Sequence, residues 1–511
     1  MDEQRIPILV GAGQLTQREP DPSRALAALD LTAEAARKAA ADARGGAALL
    51  EQLDTIVVIR AFADTSWRFR SPFGSPKNPP RSIANRIGNT RAKRLVYTHP
   101  GGNMPQWCIN RLFEMVTRGE VEAALVCGGE ALGTQKAAER AKLALDWSED
   151  AGGSYEAWGV AKRGWNDMEE RHGMAGAIFA YPLFEQAIRC HLGRSVPDHM
   201  QAIGRLFAHF AAVAKANPLA DRRQGFSAEA IAHVSADNPF IGFPYTKLMN
   251  SNAYIDQAAA VILTTVAKAK ALGIPQERWV YLHGCADAHD HWYVSDRINY
   301  HSSPAMRVVA QEAFEMAGMD LGAIGKLDVY SCFPSAVEIA CAEMGIAQDD
   351  PRGLTVTGGL PYFGGPGNNY VTHSIAQMMD EVRAAPGLAG MVTANGNYVT
   401  KQSLGIYSTR PLERPFKPKD PALYQAGIDA AKGPEVVEVA NGRARIETYT
   451  VMHDRKGPQN AIIIGRLADG RRFMANAPAD AAVLSALVNQ DLMGADGDVR
   501  HQEGRNIFTP G

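Results

Sequence analysis

The sequence predicts an α/β chain whose sheets are buried on both faces, with a separate β-rich unit at its C-terminal end. Three observations predict it. Continuous apolar strands alternate with helical stretches through most of 5–130 and 253–393, the pattern of sheets covered by helices on both sides. A polar, helical segment rich in Trp, Tyr and His interrupts that rhythm at 131–245. Beyond a proline-rich stretch at 410–421 (RPLERPFKPKDP), which reads as an extended linker, the pattern becomes strands joined by turn residues.

Residues 5–10 (RIPILV) read as a buried strand and Gly11-Ala12-Gly13 as the turn after it. Residues 25–41 are alanine-rich with helical spacing. The β-branched run 53–59 (LDTIVVI) and the short run 95–98 read as strands. Gly101-Gly102-Asn103 reads as a turn that opens a helix over 104–118, with Pro105 tolerated in its first turn. Residues 123–127 (AALVC) form the next strand. After the interruption, the rhythm resumes at 253–265. It continues with a strand at 279–283, a helix at 304–317, a strand at 327–330, a helix at 335–344 and a strand at 390–393. Strand, small-residue turn, helix and strand thus occur around Gly102 and again around Cys332, a repeated topology without a detectable sequence repeat. In the C-terminal unit, 434–439, 443–452, 460–467 and 471–475 read as strands, with Asn441-Gly442 and Asp469-Gly470 as hairpin turns.

Composition excludes several function classes. The 511 residues suffice for about three domain-sized units. With 53 basic and 55 acidic residues, no cationic excess is present to neutralise a nucleic-acid backbone. The start, MDEQRIPILVGAGQ, lacks the pattern of a secretory signal, and the weakly polar run 258–267 is too short to span a bilayer. The expectation is a cytoplasmic protein. Cys108, Cys127, Cys190, Cys285, Cys332 and Cys341 are scattered without a CxxC pair, so free thiols are expected. His283, Cys285, His289, His291 and His301 cluster in sequence but lack a second well-spaced pair, so no metal is expected there. Neither a dinucleotide-binding glycine fingerprint nor a nucleophile elbow around a serine is present.

Four segments together resemble the thiolase superfamily over about residues 5–410. Asp256-Gln257-Ala258-Ala259-Ala260, followed by 261–263, is similar to the DGAAA strand of thiolases. Residues 328–333 (DVYSCF), followed by Pro334 and Ser335, resemble the HDCF segment of sterol-carrier-type thiolases. Residues 358–367, within GGLPYFGGPGNNYVTH, resemble the glycine–histidine–proline loop. Residues 101–129 have the spacing of the nucleophile helix and the strand after it. The β-rich tail, with YSCFPSAV (330–337) and NGNYVTK (395–401), resembles thiolase-like proteins of type 1. The resemblance implies a duplicated five-layer α-β-α-β-α fold with a C-terminal antiparallel β-barrel. Its parts would be an N-terminal half at 1–266 that includes the helical insertion 131–245, a C-terminal half at 267–410 and the barrel at 415–511.

Thiolase chemistry needs an activated thiolate at a helix N-terminus, a histidine base, a second cysteine and oxyanion donors. The resemblance carries the first three positions to Gly102, Gly365 and Thr393. It carries the asparagine and glutamate beside the first oxyanion hole to Ala336 and Val337. None of these residues has the side chain the chemistry requires. Cys108 lies six positions beyond Gly102, about 9 Å along the helix, and reads as core. Cys332 and His373, each also readable as a packed structural residue, and Tyr330 remain the catalytic candidates. Backbone N–H groups at Gly102 and at an Asn395-Gly396 turn are the candidate oxyanion donors. Lys401, Gln402 and Asn369 are the candidate pocket residues.

The resemblance implies an acyl-CoA-binding or lipid-binding protein, acetyl-CoA acetyltransferase-like but without thiolytic activity. A coenzyme A thioester would be its ligand, with no cofactor. Trp158, Trp165, Tyr181, Phe207 and Phe210 of the insertion would either line an apolar tunnel or form the insertion's own core. Two alternatives are an acyltransferase or carbon–carbon lyase with non-standard groups, and a non-catalytic scaffold docking a protein partner through 415–511. Thiolases pair edge strands across a dimer, whereas the type 1 resemblance suggests a monomer; both states stay open.

Overall fold

The structure is a computed structural model that describes residues 2–511. Strand β1 (Pro7–Thr16) continues through Gly11 and Gly13, where the sequence reads as a turn, with only a shift of pairing register between Leu9 and Gly11. Helix α1 (Ala28–Asp42) is pressed onto that strand. A Cβ at Gly11 would lie 2.1 Å from the Ala39 carbonyl oxygen, and one at Gly13 2.1 Å from that of Ala35. The glycines therefore serve close approach of helix to strand, a role that looks identical to a turn signal in sequence.

Helix α2 (Gly46–Glu51) leads to β2 (Thr55–Val58), and α3 (Pro79–Arg86) to β3 (Arg94–Thr98). Helix α4 (Met104–Arg118) follows, with Pro105 in its first turn as expected, and leads to β4 (Ala123–Ala131). The insertion begins with α5 (Leu132–Ala141). Its next piece, β5 (Glu156–Trp158), pairs in parallel with the outer edge of β3. Then come α6 (Asp167–Arg171), α7 (Ala177–His191), α8 (Val196–Ala216), α9 (Ala228–Ala232) and the short strands β6 (Phe240–Gly242) and β7 (Tyr245–Thr246). The chain re-enters the first sheet as β8 (Asp256–Thr265), giving the order β1-β8-β4-β2-β3-β5.

After α10 (Val266–Ala271), the second half supplies β9 (Tyr281–His289), α11 (Pro304–Ala317), β10 (Ile324–Asp328), α12 (Pro334–Met344), α13 (Tyr370–Ala384), β11 (Ala389–Gly396) and β12 (Lys401–Ser408). Its sheet order is β10-β11-β12-β9. That order repeats β2-β4-β8-β1, and β12, like β8, is antiparallel to both neighbours. The repeat read from Gly102 and Cys332 is thus a repeat of topology. Helices α1 and α3 cover the outer face of the first sheet, α4 and α13 lie between the sheets, and α11 covers the second. These are the five layers.

After α14 (Pro421–Ala430) comes the barrel: β13 (Gly442–Asp454), β14 (Gly457–Leu467), β15 (Arg472–Asn476), α15 (Ala481–Asn489), β16 (Asp496–Gln502) and β17 (Arg505–Pro510). The strands run β14-β15-β17-β16-β13 and close through β13–β14, antiparallel except for β15 with β17. Asp469-Gly470 forms the expected turn between β14 and β15. Asn441-Gly442 instead heads β13, and the turn at Arg455-Lys456 joins β13 to β14. The expected strand at 434–439 reduces to one bridge, Val436 to Arg472. Strand β6 pairs with β13, so the barrel sheet continues into the insertion. The aromatic residues of the insertion pack inward: Tyr181 stacks on Phe333 at 4.4 Å and Phe207 on Phe210 at 5.2 Å. No helix among the described residues is long and apolar enough to cross a membrane.

Candidate functional site

The N-terminus of α4 carries Gly102 between the two sheets, beside the ends of β10 and β11. The turn is fixed by the Gly101 N–H, which donates to Asn368 Oδ1 at 2.9 Å. A Cβ at Gly102 would lie 2.3 Å from the Tyr330 hydroxyl and 2.6 Å from the Asn395 carbonyl oxygen. The place a side chain would take is filled from two sides. Gly365 repeats the pattern: its Cβ would lie 2.2 Å from Ser251 Oγ. Thr393 uses its Oγ1 to accept the Tyr330 N–H at 2.9 Å. Ala336 and Val337 are buried in the first turn of α12. What opening remains among Tyr330, Ala336, Thr393, Asn395 and Gln402 is about 10 Å³, room for at most one water.

The catalytic candidates are poorly disposed for covalent chemistry. Burial pushes the Cys332 thiol up to about 12, so it is not a thiolate at neutral pH. Burial also keeps the Cys108 thiol protonated in the core. His373 lies in α13, with Nδ1 3.0 Å from Gln14 Oε1 on β1 and its ring 5.1 Å from that of Phe363. Burial lowers its pKa to about 3, leaving a neutral imidazole directed at β1. Tyr330 borders the opening, and burial raises its hydroxyl well above the usual value, with Cys332 and Tyr370 adding to the effect.

The expected oxyanion pair takes a different form. Asn395 and Gly396 end β11, paired with Gln402 and Lys401, rather than forming a turn. The group that Asn395 directs at Gly102 is its carbonyl oxygen, an acceptor. That does not stabilise an oxyanion. Asn369 is a structural tie: its Nδ2 donates to the Gly128 carbonyl at 2.6 Å and its Oδ1 accepts from the Thr372 hydroxyl at 2.6 Å. Gln402 borders the opening and donates to the Val399 carbonyl at 3.2 Å.

Lys401 is 7% exposed, and its Nζ donates to the Pro100 carbonyl at 2.5 Å. Among the described residues no carboxylate forms an ion pair with it, and burial lowers its pKa from 10.5 to about 8. Below pH 8 both folded and unfolded chains hold the proton, and the cost of burying the charge is complete. Between pH 8 and 10.5 the unfolded chain binds more protons, so this group's destabilising contribution shrinks as pH rises. Lys401→Met is therefore expected to stabilise the fold at pH 7 by about 1–2 kcal/mol, with little gain at pH 10.5. Denaturant unfolding at the two pH values checks this.

Two further features lie outside this opening. Glu185 (α7), His199 (α8) and Glu338 (α12) are buried, with potential ligand atoms within 4.8 Å of one another. His199 Nε2 is 2.5 Å from Glu185 Oε1, and Tyr245 donates to Glu185 Oε2 at 2.5 Å. Burial raises both carboxyls and lowers His199 to about 4, disfavouring the charged form of each group, and the set ties three helices together. The three residues are far apart in the chain, so no local motif in the sequence marks them. In contrast, His283, His289 and His291 each meet a backbone carbonyl, and His301 stacks on His191 at 4.0 Å.

The second feature is an open cavity of about 340 Å³ where the first sheet's strands β2, β3 and β4 end, bordered by the start of α1, α5 and the 71–76 and 145–149 loops. Glu130, 2% exposed, lines it. The one hint in the sequence was a carboxylate directly after the apolar run 123–129.

The family described as the thiolase-like protein type 1 additional C-terminal domain matches residues 424–504. The crystal structure of a monomeric SCP2-thiolase-like protein type 1 from Mycobacterium smegmatis is 35% identical over 100% of both chains, with a TM-score of 0.86. The acetyl-CoA acetyltransferase of Syntrophomonas wolfei is 16% identical over 79% of this chain and 98% of its own, with a TM-score of 0.56. An Ltp2–ChsH2(DUF35) aldolase structure gives the same identity, coverage and TM-score. At such identity these last two show the fold alone. No curated protein matches the chain in sequence.

Proposed function

The chain belongs to the SCP2-thiolase-like proteins of type 1, and from that premise we propose that it is a thiolase-fold protein that binds an acyl thioester without covalent attack at position 102. The observation that carries this reading is the filling of that position by the Tyr330 hydroxyl and the Asn395 carbonyl. A coenzyme A thioester is the proposed ligand. The opening holds no more than one water as it stands, so an acyl group enters only when side chains such as Tyr330 or Gln402 move aside. Affinity is then reduced by the fraction of molecules that are open. Calorimetric titration with acetyl-CoA and octanoyl-CoA, beside a thiol-release assay with acetoacetyl-CoA plus coenzyme A, tests the proposal. It expects saturable binding with no catalysed thiol chemistry. Thiolysis above the protein-free rate, or no binding at all, counts against it.

One observation favours a second reading, a carbon–carbon lyase. The Tyr330 hydroxyl stands where a nucleophile would, and its raised pKa suits a hydrogen-bond donor to a substrate carbonyl. In that case a 3-hydroxyacyl-CoA would be cleaved between C2 and C3 to an aldehyde and acetyl-CoA, and Tyr330→Phe would abolish the reaction. The scaffold alternative has less support, because β13 already pairs with β6 of the same chain.

The reading also carries an expectation for assembly. Strand β5 occupies the outer edge of β3, so that edge is not free to pair with a second chain. Light scattering is expected to give the mass of one chain.

A further inference from the structure

We propose that Glu185, His199 and Glu338 hold one divalent transition-metal ion, in a buried site that clamps α7, α8 and α12 together. The donor set suits such an ion: zinc takes imidazole nitrogen and carboxylate oxygen in one site, and so do manganese and iron. The three residues are at most 3% exposed, and their potential ligand atoms lie within 4.8 Å of one another. His199 Nε2 lies 2.5 Å from Glu185 Oε1 and 3.9 Å from Glu338 Oε2. Tetrahedral donors at zinc distances stand about 3.3 Å apart. Reaching that spacing widens the first contact and narrows the second, each by less than about 1 Å. The proposal does not depend on the thioester reading.

The way the two carboxylates are held points to an ion at their centre. Each has one oxygen fixed from outside and the other turned inward. Glu185 Oε2 accepts the Tyr245 hydroxyl at 2.5 Å, and the Ser335 N–H holds that hydroxyl oxygen at 3.2 Å. Glu338 Oε1 accepts from Gln348 Nε2 at 3.2 Å. Glu185 Oε1 and Glu338 Oε2 are left facing His199 Nε2. Outer donors that orient ligating carboxylates in this way are a regular feature of metal sites. Glu338 Oε2 is the second observation: it is buried and has no hydrogen-bond partner, a costly state for a carboxylate oxygen. His199 cannot satisfy it as things stand, because Nε2 carries at most one proton and lies closer to Glu185. Among the described residues no lysine or arginine forms an ion pair with either carboxylate; Arg189, on the same helix as Glu185, pairs with Asp491 at 2.6 Å. A divalent ion balances the two carboxylates, gives Glu338 Oε2 a partner and displaces the protons the set otherwise shares.

The test uses the full chain, purified without chelator from cells grown with added zinc and, in parallel, with added cobalt. Elemental mass spectrometry for zinc, cobalt, manganese, iron and nickel is expected to find one ion per chain, and the cobalt protein to show visible d–d absorption. His199→Gln and Glu338→Gln are each expected to retain less than about one-tenth of the ion with an unchanged circular dichroism spectrum. Tyr245→Phe removes only an outer donor and is expected to lower affinity roughly tenfold in competition with a chelator. Anomalous diffraction at the zinc edge from wild-type crystals is expected to place the ion among Glu185, His199 and Glu338, a readout that stands even where a variant does not fold. The proposal is overturned if the wild type carries no ion, if the anomalous peak lies elsewhere, as at His191 and His301, or if the folded His199→Gln and Glu338→Gln variants keep the full ion.

Discussion

Replacing Gly102 by cysteine, the residue thiolase chemistry would require there, is expected to give an inactive protein about 3 kcal/mol less stable than the native chain. The new Cβ would lie 2.3 Å from the Tyr330 hydroxyl and 2.6 Å from the Asn395 carbonyl oxygen. The first clash involves a side chain that can move if given space. The second involves backbone at the end of β11, held on both sides by strand pairing and turn. Adding Tyr330→Ala is therefore expected to recover about half of the loss, with a coupling energy of about 1–2 kcal/mol in a double-mutant cycle. Denaturant unfolding of the four proteins measures it. A single variant as stable as the wild type would mean that the position is open.

Arg472→Met is expected to cost about 3–5 kcal/mol and to loosen the barrel from the rest of the chain. Arg472 on β15 is fully buried. Its guanidinium donates to both Glu447 carboxylate oxygens at 2.7 and 2.8 Å. It also donates to the Ser295 carbonyl at 2.9 Å and to that of Arg297, both in the second half of the α/β body. It lies 4.8 Å from the Tyr300 ring centre. One side chain thus joins the barrel to the loop after β9. Without it, those carbonyls lose their partner in a dry place, and Glu447 keeps only Arg466 as a cation. A lowered melting temperature with faster proteolytic cleavage in 409–420 is the expected result; a melting temperature within a degree of wild type would remove Arg472 from this role.

The parts of the structure legible in the sequence are those fixed by periodicity and local chemistry. The helix 104–118 reads directly from its proline, its apolar face and Gly119, and the second half follows from short strand runs such as 390–393, which lies within β11. The ambiguous positions are those where one residue type serves two purposes. Gly11 and Gly13 look like a turn, yet they admit the backbone of α1. Asn441-Gly442 looks like a hairpin, yet it only starts a strand. At the candidate site, the sequence indicates the missing side chains at 102 and 365 but not what replaces them. Tyr330 and Ser251 reach those places from 228 and 114 residues away, and such contacts exist only after folding. The same holds for Lys401: a lysine after an asparagine-rich turn reads as solvated or pocket-lining, whereas it is buried against Pro100.

Intact-mass spectrometry of the protein during incubation with acetyl-CoA and acetoacetyl-CoA tests the account most directly. The account predicts an unmodified chain at every time point, since position 102 has neither a nucleophile nor space for one and Cys332 and Cys108 are buried as thiols. An acyl group recovered on any cysteine in proportion to turnover would contradict it.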